Sequence, residues 1–216
     1  MTTQTVHTSA TTTDPRPQFA TAVRIAEPVI AGVRPDQLEL PSPCVEFTVK
    51  GLLDHLVFVL HRVDKLCRGD EAFAPGSLAD DVVEHTDWAA DWLAAGADVE
   101  AACADDAVLE RTVVLPWATM TGAEMLATYV SEITTHTWDL ATATGQHAAW
   151  DDGVCQLSLD TMHRELPMAD RGPIWEAFRA TAPANLHFDA PFANAVAIGT
   201  DAPLIDQLVA WTGRQP

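Results

Sequence analysis

Tyr129-Val-Ser-Glu132-Ile-Thr-Thr-His136-Thr-Trp138-Asp139-Leu140-Ala141 lies between Thr121-Gly-Ala-Glu124 and Gly145. A Thr followed three residues later by Glu is a capping box, and Gly ends helices by taking the left-handed conformation. The spacing predicts one helix of about 22 residues, roughly 33 Å long, which is bundle length. Met125, Tyr129, Leu140 and Ala143 recur along it at spacings of three and four, and Glu132 and His136 fall into the same series. The carboxylate and the imidazole therefore project one turn apart from the apolar face. Such groups aimed into a bundle core are costly unless satisfied, and a divalent metal is the usual partner. Surface Glu/His pairs at this spacing are common; the apolar setting is what singles this one out.

A second apolar stripe, Leu52, Leu56, Val59, Val63 and Leu66, predicts a helix from Thr48, its N-cap, to Arg68 before Gly69. His55 sits inside that stripe. A lone His on an apolar face is more often a hydrogen-bonded core residue than a ligand. If these two helices pack together, however, His55, Glu132 and His136 converge. Two imidazoles and a carboxylate with a free position suit catalytic zinc and equally non-haem iron. Asp139, three residues after His136, reads as a group that orients a ligand or equally as a helix cap or surface acid. His61 falls on the polar face with Asp54 and Lys65 and reads as solvated. His85, Trp88 and Trp92 read as packing groups. His7, His147, His163 and His187 carry little signal. No phosphate loop, G-x-S-x-G or H-E-x-x-H is present.

The remaining chain reads as further helices. Residues 1–14 form a Thr-rich polar leader with little to bury, expected to be disordered. Phe19, Val23, Ala26 and Ile30 predict a first helix from Pro15 to Val33, kinked or shortened by Pro28. Leu38 to Cys44 is extended by its prolines. A third helix is expected over Leu78–Leu93, weakened beyond by Gly96, and Val108–Leu115 as a short extended segment. Gly153–Leu166 and Pro203–Thr212 read as helices flanking an irregular region.

The chain has 216 residues, 48% of them apolar, which is enough for one substantial core. Its formal net charge of -19 disfavours nucleic acid and anionic membranes as partners. No signal peptide or membrane span is legible. Cys44, Cys67, Cys103 and Cys155 are scattered without C-x-x-C and read as reduced thiols of a cytoplasmic protein.

Pro41-Ser-Pro-Cys44-Val-Glu-Phe47-Thr48-Val49-Lys-Gly51-Leu52-Leu53-Asp-His55-Leu56 resembles P-T-P-C-x-x-W-T/D-V-x-D-L-L-x-H-L, a signature of the mycothiol-dependent maleylpyruvate isomerase metal-binding family. His136-Thr-Trp138-Asp139-Leu140-Ala141-Thr-Ala-Thr-Gly145 is similar to that family's H-G-W-D-L-A-x-A-T-G. The ending Gly213-Arg214-Gln-Pro216 is similar to the G-R-x-P end of an actinobacterial subgroup. The resemblance implies a mainly α fold, a DinB-like four-helix bundle over 15–145, with a C-terminal α/irregular extension over 146–216 packed on it. It also implies a divalent metal, typically zinc, on His55, Glu132 and His136.

Three departures stand out: Phe47 for Trp, Gly51 for Asp and Thr137 for Gly, the last able to narrow the approach to the site. No separate C-terminal domain like the isomerase's is apparent, so maleylpyruvate isomerisation is not the expected reaction. The expectation is a transferase or isomerase that directs a small-molecule thiol, mycothiol by resemblance, at an electrophile. The alternatives are a non-catalytic metal-binding module and a metal-dependent hydrolase. Arg62 and Arg111 are candidates, by charge alone, for holding a substrate carboxylate, and Trp138 for walling off solvent. Oligomeric state is open, a homodimer being one option.

Overall fold

The computed structural model describes residues 14–73, 85, 87–181 and 192–216. The predicted leader, apart from Asp14, lies outside them, as do His7 and His187. Four helices form a closed ring around the main core: α1 (Arg16–Ala31), α2 (Val49–Arg68), α3 (Trp88–Ala102) and α5 (Gly122–Thr144). The protein is thus mainly helical, as a DinB-like bundle requires.

Local chemistry sets the ends of these helices. The Thr48 hydroxyl accepts from the Gly51 amide and opens α2, which Gly69 closes at φ 86°. Thr121 and Glu124 cap one another at the start of α5, and Gly145 closes it at φ 69°. A side chain at Gly122 would collide with the Val108 carbonyl, so the close approach there demands glycine. Helix α1 runs through Pro28 to Ala31 and is not cut short by it.

Contacts at the helix ends give the directions. Trp88 Nε1 donates to Asp54 near the start of α2 (2.7 Å), and Cys67 and Cys103 meet at the far ends of α2 and α3. These two helices are therefore parallel. Gln146, just beyond α5, donates to Val29 near the end of α1 (2.9 Å), so α1 and α5 are also parallel to one another. Arg16 at the start of α1 donates to Cys103 O, which makes the two pairs antiparallel.

Several expectations need correction. Helix α3 starts at Trp88, because the Asp87 carboxylate accepts from Ala90 N (3.0 Å) and sets the first turn; His85 and Asp87, inside the span expected to be helical, are not helical. It also continues through Gly96, whose missing side chain leaves room for Val23 of α1. The part predicted over 78–84 is outside the described residues. Cys67 and Cys103 are joined as a disulfide rather than reduced, their Cα atoms being 5.5 Å apart; Cys44 and Cys155 are free. The stretch expected to be extended from Val108 to Leu115 divides: its start belongs to α4 (Ala107–Glu110), a single helical turn. Only β1 (Thr112–Val114) is a strand, pairing antiparallel with β2 (Thr119–Thr121). The region expected to be irregular contains α7 (Gly172–Thr181), between α6 (Asp152–Glu165) and α8 (Leu204–Trp211).

Helix α6 lies against α5 and α1 and carries α8 on its other side. A second apolar cluster forms there from Cys155, Met162, Leu166, Trp175, Ile205, Leu208 and Val209. Buried Arg171 ties this region together by donating to the Pro167 and Ala193 carbonyls. Arg214 N donates to Val209 O (2.8 Å), which turns the end of the chain back toward α5.

Candidate metal centre

Helix α2 holds His55 between Leu52 and Leu56, both fully buried, while α5 presents Glu132 and His136 one turn apart. The packing of α2 on α5 brings the three together. His55 Nε2 is 2.9 Å from Glu132 Oε1, and His136 Nε2 is 3.5 Å from the same oxygen. The imidazole rings meet edge to face with centroids 4.9 Å apart. An ionised carboxylate can only accept, so in this arrangement the rings donate to it.

Each ring has a support. Phe47 stacks on His55 at 4.9 Å, and its own ring rests on Gly51: a Cβ at 51 would lie 3.1 Å from Phe47 Cδ1. Two of the departures from the family signature are therefore in contact with each other. His136 Nδ1 donates to Asp139 Oδ2 (3.0 Å), which leaves Nε2 facing Glu132 and His55. Asp139 is fully buried and accepts from His136, so it is not a surface acid. Arg214 holds both of its oxygens, Nε to Oδ1 at 3.1 Å and Nη2 to Oδ2 at 2.8 Å. The chain's last residues thereby reach the back of His136.

Burial raises the Glu132 carboxyl, but the two imidazoles outweigh it and hold the group well below the usual carboxylate range. Burial lowers His136, yet the charges of Glu132 and Asp139 carry it up to about 9. His55 stays below its ordinary value, because burial outweighs its bond to Glu132. Asp139 is lowered despite burial by His136 and Arg214.

The donor atoms of His55, Glu132 and His136 all lie within 4.8 Å of one another. Ligand atoms each about 2.1 Å from a tetrahedral zinc stand roughly 3.4 Å apart, so this set fits a single ion with small shifts. Cys44, His136 and Asp139 form a second close group. It suits a metal poorly, since Arg214 occupies Asp139 and burial pushes the Cys44 thiol up to about 11. The side chains of His55 and Glu132 keep 18% and 24% exposure, so one side of the triad faces solvent.

Other candidates are spent elsewhere. His61 is exposed, and His85 pairs with Asp91 at 2.7 Å. His147 is exposed, and exposed His163 packs on Trp211. Arg111 donates to Cys67 O (2.6 Å) at the end of α2. Trp138 packs on the second apolar cluster and does not wall the site; Phe47 is the aromatic group against the imidazoles. Thr137 is buried. Sequence reasoning missed the Arg214–Asp139 pair, for which the ending G-R-x-P was the one available signal, and the Phe47 stack.

Residues 19–141 match the family described as mycothiol maleylpyruvate isomerase N-terminal domain. The chain belongs to that family. Among curated relatives, uncharacterized proteins from two strains of Mycobacterium tuberculosis are each 28% identical over 186 residues, covering 86% of this chain and 90% of the relative. No solved structure matches. The family match spans the helices that carry His55, Glu132 and His136, and stops before the Arg214 that backs them. Among the described residues no helix is long and apolar enough to cross a membrane.

Proposed function

We propose that this family member binds one divalent metal, zinc in preference to iron by family likeness, through His55, Glu132 and His136. We propose further that it acts as a thiol-dependent transferase or isomerase, with mycothiol as cosubstrate and a small electrophile as its target. The observation that carries this reading is the convergence of two imidazole nitrogens and one carboxylate oxygen on a side of the bundle that keeps solvent access. When bound, the metal supplies the Lewis acidity that keeps a thiol as its nucleophilic thiolate at neutral pH.

The chain's own residues do the rest. Asp139 fixes the ring and tautomer of His136, and Arg214 holds Asp139 in place. Phe47 holds the His55 ring by stacking. Glu132 brings the negative charge that balances a divalent ion in a core otherwise lined by aliphatic groups.

Elemental analysis of protein purified without chelator is expected to give near-stoichiometric metal. Persistent absence after zinc reconstitution at neutral pH removes the site. Cobalt-substituted protein is expected to gain a thiolate charge-transfer band on addition of mycothiol, and to consume thiol only with an electrophile present. No band, together with metal-dependent hydrolysis of a test ester or amide, makes the protein a hydrolase; neither activity makes it a binding module.

A further inference from the structure

Two buried polar groups beside the triad face one another and are incompletely satisfied. Tyr129 precedes Glu132 by one turn of α5, and Arg62 follows His55 by two turns of α2. Because α2 and α5 are antiparallel, both offsets lead toward the same end of the bundle. Tyr129 is 3% exposed, and its hydroxyl has no close hydrogen bond, only a loose approach to Arg62. The Arg62 guanidinium lies 4.4 Å from the centroid of the Phe58 ring and 4.6 Å from that of Phe73, and its buried Nε makes no hydrogen bond either.

The other arginines that are not exposed are paired. Arg16, Arg68 and Arg214 each meet a carboxylate, and Arg111 and Arg171 meet carbonyls. Among the described residues no acid pairs with Arg62, although the chain carries 31 acidic residues against 12 basic ones. Packing alone accounts for its stem, since a long side chain buries its methylenes wherever it crosses apolar surface. It does not account for a phenol O–H and a guanidinium Nε that find no close acceptor on the same side of the triad. Aromatic stacking covers guanidinium faces and leaves the in-plane N–H donors for a planar anion. Burial pushes the Tyr129 phenol up to about 12, and the guanidinium of Arg62 is near enough to oppose part of that rise. Its charge is felt at His55 as well, so it lies within electrostatic range of the triad.

We propose that Arg62 and the Tyr129 hydroxyl form a carboxylate subsite beside the triad, which selects small carboxylate-bearing substrates whose reacting atom lies toward His55, Glu132 and His136. Arg62 is a fork for both carboxylate oxygens, and the Tyr129 hydroxyl donates a third bond. This deepens the function proposed above and rests on it for the neighbouring centre, but anion binding itself needs no metal. General anion attraction is not a competing explanation in a chain of net charge -19.

The test is calorimetric titration of succinate and its neutral isostere succinamide, on zinc-loaded and on metal-free full-length protein. Wild type is expected to bind succinate saturably and succinamide not at all. Arg62→Gln should weaken succinate at least tenfold with zinc content unchanged, and Arg62→Lys less, because it keeps the charge without the fork. Tyr129→Phe should weaken it several-fold. Arg164→Gln, which makes the same charge change on an exposed residue, should leave it alone. Circular dichroism checks that each variant is folded. Wild-type affinity in the Arg62→Gln protein, equal binding of succinamide, or no saturable succinate binding by wild type overturns the subsite. Arg62-dependent succinate binding by a protein that never takes up zinc upholds the subsite and overturns the metal reading instead.

Two further ligands identify whose carboxylate is held. If it belongs to the thiol, 3-mercaptopropionate displaces succinate, and Arg62→Gln weakens it relative to 2-mercaptoethanol. If it belongs to the electrophile, 2-mercaptoethanol and succinate bind together. Either pattern upholds the shared chemistry.

Discussion

The two apolar clusters do different work at the same site. The larger one, inside the ring of α1, α2, α3 and α5, is mostly aliphatic and carries the three candidate ligands on two neighbouring helices. The smaller one, between α6 and α8, is richer in aromatic groups and contributes no candidate ligand. It instead fixes the path by which Arg214 reaches Asp139, and through it His136. Position is thus set by one cluster and orientation by the other. The extension beyond Gly145 is therefore structurally coupled to the centre, and its effects should be separable from those of the bundle.

The largest expected effect comes from the bundle side. Glu132→Ala or His136→Ala should abolish stoichiometric metal binding while circular dichroism stays helical, because apolar burial and not the metal holds a core of this size. His61→Ala should change nothing. Loss of metal in His61→Ala but not in His55→Ala would reverse the assignment of faces on α2.

Next is the brace from the extension. Arg214→Ala leaves the fully buried Asp139 carboxylate with His136 as its remaining partner, and removing one partner of a buried pair costs up to about 3–5 kcal/mol. Thermal or denaturant unfolding should show that loss. Metal affinity should fall about 10–100-fold as well, the usual consequence of losing a group that orients a ligand. If stability falls while zinc affinity is unchanged, the two clusters are energetically linked but the small one does not orient the ligand.

The smallest effect is graded with pH. Metal-free His136 titrates at about 9, raised from 6.5, so its protonated form stabilises the metal-free fold below about 6.5. That contribution is lost as pH rises through about 9. A metal must displace the same proton, so apparent zinc affinity should climb by up to about tenfold per pH unit over this interval and then flatten. Competition titrations with a chelator of known pH dependence would show it, and a flat profile would place the proton elsewhere.

Helix α2 was legible because its signals are local: Thr48 and Gly69 act within one turn, and its apolar stripe repeats five times between them. Helix α5 was legible for the same reason, which is why its Glu/His pair could be recognised as facing inward. Helix α3 was misplaced because its start depends on one Asp87 cap, and Gly96 looks like a breaker until the close approach of α1 gives it a purpose. The Cys67–Cys103 bond was missed since nothing in a 36-residue separation says that α2 and α3 run parallel and end together. Trp138 was given the wrong side because the second cluster it packs on is assembled from residues far along the chain.

By itself the sequence determined α1, α2 and α5 and the inward facing of His55, Glu132 and His136, which rest on periodicity and caps within a few residues, and the family resemblance, which rests on short signature motifs. Only the tertiary structure decided that α2 and α5 bring those donors within 4.8 Å and that Arg62 and Tyr129 lie to the same side of them. It also decided that Arg214 closes on Asp139 across 75 residues of chain. The physical reason is that helix signals are short-range and survive in isolation. A buried ion pair or a cluster of donors exists only where packing has already excluded water from both partners.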